Sequence, residues 1–386
     1  MKFLILGSGK MGYALAYDLI RSEGVKQVIL ADSNTKNLKH ATKLLIDKKV
    51  IPVSLDVNNQ DETLEIMKFV DVVVSCLPYN FNLQVASMCL IANRHFLDLG
   101  GNEDVLRQQF ELNDLAKKKN VIHMPDLGLA PGLVSLIALT EANNMDELYE
   151  IKIRVGGIPI EPKEPLNYCK LFSVNGLINE YVEDCVVIKD GHLFKLPALT
   201  ECETIDFVKP FGEMEAFYTA GNVNNLFNIL KGKIKHLNYK TIRYPGHCAQ
   251  MNLLKTLGLM SSVPIKVNKH NVVPRDLLHN LLDKALPDNE PDAVLIRINV
   301  TGVKNSKPVE VIWECVDLAD EVNNISAMMR MTAFPTSVIA QMVAKGEIDQ
   351  SGVLVQEKTV PLDKLINELA VRGINITRQQ RSPVVA

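Results

Sequence analysis

Four segments of this 386-residue chain combine residue types that can do chemistry. Gly7-Ser8-Gly9-Lys10-Met11-Gly12 is a GxGxxG run. Leu97-Asp98-Leu99-Gly100-Gly101 sets an acid ahead of two glycines. Pro125-Asp126-Leu127-Gly128-Leu129-Ala130-Pro131-Gly132 sets another acid ahead of a stretch rich in glycine and proline. Thr241-Ile242-Arg243-Tyr244-Pro245-Gly246-His247 carries a cation, a phenol and an imidazole. Carboxylates and imidazoles transfer protons, and a guanidinium fork matches a carboxylate bidentately. Each segment also has a structural reading. Asp98 and Asp126 are the types that cap helices, and Arg243 is compatible with a solvated strand.

Chemistry needs elements that hold these residues. The first third alternates short apolar runs with helical spacing. Strands are expected at Phe3–Leu6, Val28–Ala31, Ile51–Leu55, Val72–Val74, Phe96–Leu97 and Val121–Ile122. Helices are expected at Met11–Ile20, around Leu38–Leu45, and at Thr63–Phe69, Leu83–Ile91 and Val105–Lys117. This alternation predicts a doubly wound parallel sheet of the Rossmann kind, and burial on both faces explains the continuous apolar strands.

The glycine run follows the first strand and opens the first helix, the context that a dinucleotide fingerprint requires. Gly7 permits the tight turn, Gly9 lets backbone approach a pyrophosphate, and Gly12 lets helix pack on sheet. The phosphates would sit on the helix N-terminus, beside Ser8, Lys10 and Met11. Asp32 ends the second strand, 20 residues after Gly12, with no arginine beside it. A carboxylate there accepts ribose hydroxyls and repels a 2′-phosphate, which favours NAD over NADP. Asp56 ends the third strand, where either an adenine contact or a turn would suit it. Cys76-Leu77-Pro78 ends the fourth, and backbone contacts to the cofactor are expected there, not thiol chemistry.

After about residue 145 the pattern changes. Ile151, Ile153 and Val155 alternate with Lys152 and Arg154. Asp190-Gly191 separates two apolar runs, and Lys304–Pro308 separates two longer ones, so hairpins are expected at both. A second α+β domain with a mixed or antiparallel sheet follows. The expected division is residues 1–125 for the dinucleotide domain and 126–325 for the substrate domain. Helical segments from about 326 to 386, including Leu362–Val371, could pack on either domain.

Lys plus Arg is 42 and Asp plus Glu is 45, a net charge of −3, which gives no electrostatic reason to expect nucleic acid or an anionic membrane. No run reads as a membrane span or a signal peptide. The seven cysteines are scattered, as reduced thiols of a cytoplasmic protein would be. Neither CxxC nor HExxH spacing occurs, so no metal is expected. The partner expected is a small molecule. A sheet with one open face also suits a homodimer or larger homo-oligomer.

The quoted motifs, with GGIP at 156–159, EPLNY at 164–168, AFYTAG at 216–221, KTIRYPGH at 240–247 and MTAFPTSVIAQMVAKGEI at 331–348, resemble the saccharopine dehydrogenase family, and within it the lysine 6-dehydrogenase branch. Two positions differ from the family's saccharopine reductases. Ala130 stands where they typically carry Asp before Pro-Gly, and Gly246-His247 stands where a Gly-Phe-like pair is usual. Both departures point toward lysine. The resemblance implies a Rossmann domain and an α/β substrate domain, with the C-terminal helices of about 326–386 returning to the first, and NAD-linked oxidation of an amine carbon. In the lysine branch C6 loses a hydride, the imine hydrolyses, and the resulting allysine cyclises to piperideine-6-carboxylate.

An ε-ammonium with a reference pKa of about 10.4 must first lose a proton. Asp126 and Asp98 are the candidates to hold and deprotonate the amine, with His247 as an alternative acid or base. Arg243 is the candidate clamp for the α-carboxylate. Tyr168 and Tyr244 are candidates to line the pocket or to pack in the core. Two other readings stay open: a sister carbon–nitrogen oxidoreductase such as a saccharopine reductase, and a non-catalytic NAD-binding redox sensor.

Overall fold

The computed structural model describes residues 1–221 and 223–382 of the chain. In chain order the elements begin β1 (Lys2–Leu6), α1 (Lys10–Arg21), β2 (Gln27–Asp32), α2 (Thr35–Leu44), β3 (Val50–Ser54), α3 (Gln60–Met67), β4 (Val72–Ser75), α4 (Asn82–Ala92), β5 (His95–Asp98), α5 (Glu103–Glu111), α6 (Asn113–Lys118), β6 (Ile122–Met124) and α7 (Val134–Asn143). They continue β7 (Glu147–Pro159), α8 (Val174–Val182), β8 (Asp184–Lys189), β9 (His192–Pro197), β10 (Glu203–Phe207), β11 (Gly212–Phe217), α9 (Asn224–Leu230), β12 (His236–Arg243), α10 (His247–Thr256), β13 (Ile265–Val267), β14 (His270–Val272), α11 (Pro274–Ala285), β15 (Asp292–Lys304) and β16 (Lys307–Leu318). The last are α12 (Ala327–Ala344), β17 (Gly352–Val353), α13 (Gln356–Thr359), α14 (Leu362–Val371) and β18 (Thr377–Arg381). No helix among the described residues is long and apolar enough to cross a membrane.

The chain divides into two compact units. The first comprises residues 1–139 and 329–374. Its seven strands run parallel in the order β17-β6-β5-β4-β1-β2-β3. The order reverses between β1 and β4, and a doubly wound sheet binds ligands beyond the strand ends at such a switch point. Phe3, Leu4, Ile5, Val72, Val73, Val74, Phe96 and Leu97 are fully buried, as central strands covered on both faces require. Pro52 lies on β3, an edge strand, where a missing N–H is tolerated. The C-terminal helices are tied to α1 through the buried Asp18. One of its oxygens accepts from Arg372 Nε at 2.6 Å, and the other accepts from Ser337 Oγ at 2.6 Å.

The second unit comprises residues 140–328 and 375–386. Its nine-stranded mixed sheet follows the path β10-β11-β12-β7-β15-β16-β18, with β8 on β12 and β9 on β8. Among the described residues of this sheet, only β7 and β12 pair in parallel. Both expected hairpins are present. Asp190-Gly191 joins β8 to β9, and Asn305-Ser306 joins β15 to β16, each with two positive φ angles, the two-residue turn that right-twisted strands favour. Helices α8, α10 and α11 bury Tyr168, Tyr181, Phe217, Met251 and Leu282 in one apolar cluster.

These boundaries depart from the expected ones at two places. Residues 126–139 stay with the first unit. The segment after 374 does not return to the first unit, because β18 pairs antiparallel with the exposed edge of β16. Its sequence, Thr-Arg-Gln-Gln-Arg, has no apolar face to betray a strand. Charge holds it instead: Arg378 Nε pairs with the buried Glu141 at 2.6 Å, and Arg381 with Glu310 at 2.8 Å.

Candidate functional site

The glycine loop is built as a cradle. Gly7 has φ +96°, and a Cβ there would meet the Cys76 carbonyl oxygen at 2.9 Å. A Cβ on Gly12 would lie 1.8 Å from the Gly7 carbonyl oxygen, so only glycine lets α1 start this close to the loop. Gly9 faces open space, with no heavy atom within 4 Å of a Cβ placed on it. Lys10 is exposed and Met11 partly exposed, while Ser8 is buried. At the end of β2, Asp32 Oδ2 accepts from the Ser8 amide at 2.7 Å and from the Ser8 hydroxyl at 2.8 Å, and Oδ1 accepts from the Asn34 amide. Three glycines, an open approach at Gly9 and a carboxylate beside the loop fit a dinucleotide.

The other expected cofactor residues differ in kind. The Cys76 amide donates to the Leu6 carbonyl at 2.8 Å, and burial pushes its thiol up to about 12, so it offers backbone and no nucleophile. Leu77 packs against Gly7, and Pro78 leads into the single turn Tyr79–Phe81. Asp56 is a turn former: its Oδ1 accepts from both the amide and the side chain of Asn58 at 3.0 Å.

Asp98 and Asp126 come together at the ends of β5 and β6. Asp98 is fully buried. Its Oδ1 accepts from the Gly100 amide at 2.7 Å and the Asp126 amide at 3.3 Å, and Oδ2 accepts from Gln109 Nε2 at 2.6 Å. These bonds brace the two loops on each other and leave Asp98 badly placed to take a substrate proton. It does not cap α5, whose N-cap is Asn102.

Asp126 is half-buried with a left-handed backbone, φ 60°. Desolvation, and then the neighbouring carboxylates Asp98, Glu357 and Glu103, push its carboxyl up to about 8. Gln356 Nε2 fixes its carbonyl at 2.5 Å. A Cβ on Gly100 would fall 2.0 Å from Asp126 Oδ1, so that glycine keeps room for the carboxyl. The nearby His123 is buried against Phe96 and pushed down to about 4 by burial, so it stays neutral.

The second unit assembles the remaining candidates. Arg243 ends β12 and is only 3% exposed, not a solvated strand residue. Its Nη1 donates to the Ile242 carbonyl at 2.9 Å and reaches the Gly157 carbonyl at 3.4 Å. The guanidinium lies 4.9 Å from the Tyr168 ring centre and 3.8 Å from Glu180. Burial pushes the Glu180 carboxyl up to about 7, against the pull of Arg243.

His247 is a correction to the sequence reading. Its Nδ1 faces the Leu166 carbonyl at 2.9 Å, so that nitrogen carries the proton and donates. Nε2 therefore accepts from the Tyr181 hydroxyl, also at 2.9 Å. Burial, then Arg243, pushes the imidazole down to about 3. A neutral, doubly bonded imidazole is a core fixture, not a proton shuttle. Tyr244 is corrected too: its hydroxyl reaches the Pro159 and Ile160 carbonyls at 3.0 and 3.1 Å, pinning the end of β7. Tyr168 is buried against both Arg243 and His247.

Sequence reasoning missed Glu180, Tyr181, Gln109 and Glu357. The signal for Glu180 was the lone charged residue in the Val174–Val182 helix α8. Glu357 lies more than 200 residues from its Ser135 partner, a pairing no local pattern reveals.

Comparison with known proteins agrees with this architecture. The profile described as Saccharopine dehydrogenase NADP binding domain matches residues 3–124, and that described as Saccharopine dehydrogenase C-terminal domain matches 128–374. A saccharopine dehydrogenase [NADP(+), L-glutamate-forming] of Pyricularia oryzae is 26% identical over 67% of this chain and 58% of its own length. The mitochondrial alpha-aminoadipic semialdehyde synthase of Bos taurus is 19% identical over 98% of this chain and 48% of its own. The chain thus spans about half the length of these two curated relatives. Among solved structures, apo saccharopine dehydrogenase (L-Glu forming) from Saccharomyces cerevisiae superposes with a TM-score of 0.81 at 19% identity, covering 99% of this chain and 100% of that one. Homospermidine synthase from Legionella pneumophila, in complex with NAD, gives a TM-score of 0.68 at 13% identity, covering 98% and 91%. At those identities the structural likeness speaks for the fold, and the two profiles speak for descent: the chain belongs to the saccharopine dehydrogenase family, with a dinucleotide-binding first unit.

Proposed function

We propose that this protein oxidises the ε-amine carbon of L-lysine with NAD, giving allysine and ammonia. The observation that carries the reading is the Asp126 carboxyl, pushed up to about 8 on a loop of the dinucleotide-binding unit. An ammonium near 10.4 cannot release a hydride from its carbon until it loses a proton. A carboxylate that ionises near 8 is matched to accept that proton in mildly alkaline solution. The protonated form, favoured as pH falls, cannot accept it. Asp98 holds the Asp126 amide and the Gly100 turn, and so positions the base. Within the second unit, Arg243 is a buried cation of the kind that takes a carboxylate. The nicotinamide, when bound, supplies the hydride acceptor. The open backbone at Gly9 and the first turn of α1 would face its phosphates, and Asp32 the ribose. The Asp32 carboxylate is the reason to favour NAD.

Ala130 and Gly246-His247 favour lysine over saccharopine. A second reading, a saccharopine-type oxidoreductase, is favoured by the name of the Pyricularia relative. The test is NAD(P)H formation, followed by absorbance at alkaline pH, with L-lysine or saccharopine and either dinucleotide. Lysine-dependent NADH, with little NADPH, is expected. Turnover of saccharopine alone would replace the first reading with the second.

A further inference from the structure

The seven cysteines are scattered in sequence, yet the second unit brings two of them together. Cys202 lies just before β10, and Cys248 lies in the first turn of α10. Strand register explains the meeting. Glu203 pairs with Ala216 on β11, and Glu215 pairs with Arg243 on β12. The start of β10 and the turn from β12 into α10 therefore reach the same corner of the sheet. Glu215 ties that corner. Its Oε1 accepts from the Cys248 amide at 2.6 Å, its Oε2 accepts from the Gly246 amide at 3.0 Å, and the Cys202 thiol reaches Oε2 at 3.8 Å. The Cys248 thiol reaches the carbonyl of Leu199, three residues before Cys202, at 3.6 Å. The two thiols are within hydrogen-bond reach of each other, in a sense that supports a thiolate on Cys202 and disfavours one on Cys248.

The pair is asymmetric. Cys202 is the one exposed cysteine of the seven, whereas Cys248 is buried. Burial, then Glu215, raises the Cys202 thiol, while the Cys248 bond and Lys240 pull it down. Burial pushes the Cys248 thiol up to about 12, so Cys202 is the easier of the two to ionise. An exposed thiol backed by a buried one is the arrangement of an attacking and a resolving cysteine. We propose that Cys202 and Cys248 form a reversible dithiol, closed to a disulfide by a small-molecule disulfide such as oxidised glutathione. The Cys202 thiolate attacks one glutathione sulfur, breaks the S–S bond and releases the first glutathione. Cys248 then attacks the Cys202 sulfur, closes the protein disulfide and releases the second glutathione, which takes the Cys248 proton. Two protein thiols are oxidised, and one small disulfide is reduced to two thiols. The bridge clamps the start of β10 to α10 and closes a loop containing β10, β11, α9 and β12, which constrains the unfolded chain.

The test incubates the full chain with oxidised glutathione, quenches with acid, alkylates, digests without reductant and maps the peptides by mass spectrometry. Thiol titration in denaturant and thermal melts accompany it. A linked Cys202–Cys248 peptide is expected, with two of the seven thiols lost and a melting temperature higher by about 5–10 °C, all reversed by dithiothreitol. Cys202→Ser, a change at an exposed position, should lose both the bridge and the shift. Cys248→Ser should stop at a glutathione adduct on Cys202. In the unaltered protein, an adduct that stays on Cys202 while Cys248 remains free would overturn the proposal. So would seven free thiols after prolonged incubation, or a disulfide joining either cysteine to another.

Discussion

Asp126 is the residue whose chemistry depends most on its surroundings. Replacing it with Asn keeps the shape and removes the titrating group, so kcat should fall by about 10²–10⁴. The rise in rate through about pH 8 should vanish from the profile of that variant. The same shift has a stability consequence with a definite sign. A carboxyl raised in the folded state stabilises fully only below its unfolded pKa of about 3.9, and that contribution is lost as pH rises through 8. Asp126→Asn should therefore melt higher than the unaltered protein at alkaline pH, and thermal melts from acid to alkaline pH should show the gap widening. His247 gives the opposite pattern. His247→Gln leaves the Tyr181 hydroxyl and the Leu166 carbonyl poorly matched, which should cost about 1–3 kcal/mol, while the pH–rate limb keeps its position. At this scale the sequence identified residue types well and environments poorly. Asp98, Asp126 and His247 were all named as proton-transfer groups. Only burial and hydrogen-bond partners separate the brace, the base and the core imidazole.

The elements were the most legible part of the chain. Strands β1, β2, β4 and β5 are continuous apolar runs, and the Asp190-Gly191 turn announces its hairpin, because burial and turn geometry are local demands on residue type. The glycine loop was legible for the same reason, and its three glycines should separate experimentally. Gly9→Ala meets no atom in the free protein and should leave the melting temperature alone while dinucleotide affinity falls tenfold or more. Gly12→Ala should destabilise the first unit, although alanine is worth about 1 kcal/mol over glycine in an ordinary helix, because its Cβ would fall 1.8 Å from the Gly7 oxygen. Titration with dinucleotide beside thermal melts of both variants checks the pair. What was not legible depends on partners distant in sequence: the Asp126 amide on Asp98, or Ser135 on Glu357.

For the molecule as a whole, each unit is closed by residues from the end of the chain. In the first, Arg372 neutralises the buried Asp18, and Arg372→Met should cost about 3–5 kcal/mol by leaving that charge unpaired, measurable by denaturant unfolding. In the second, β18 supplies the partner of the buried Glu141, which also accepts from the indole of Trp313 at 3.2 Å. Trp313 is the chain's only tryptophan, so its fluorescence reports on the second unit. Truncation after Ile374 should lower the fluorescence-detected transition and leave dinucleotide binding by the first unit in place. The proposed reaction breaks a single C–H bond of the substrate, the one at C6. L-Lysine deuterated at C6 or at C2 would be incubated with the protein and NAD, and the reduced dinucleotide examined by mass spectrometry. Deuterium from C6, and none from C2, should appear in it. Label arriving from C2, or no label from either position while the dinucleotide is reduced, would contradict oxidation at the ε-amine carbon.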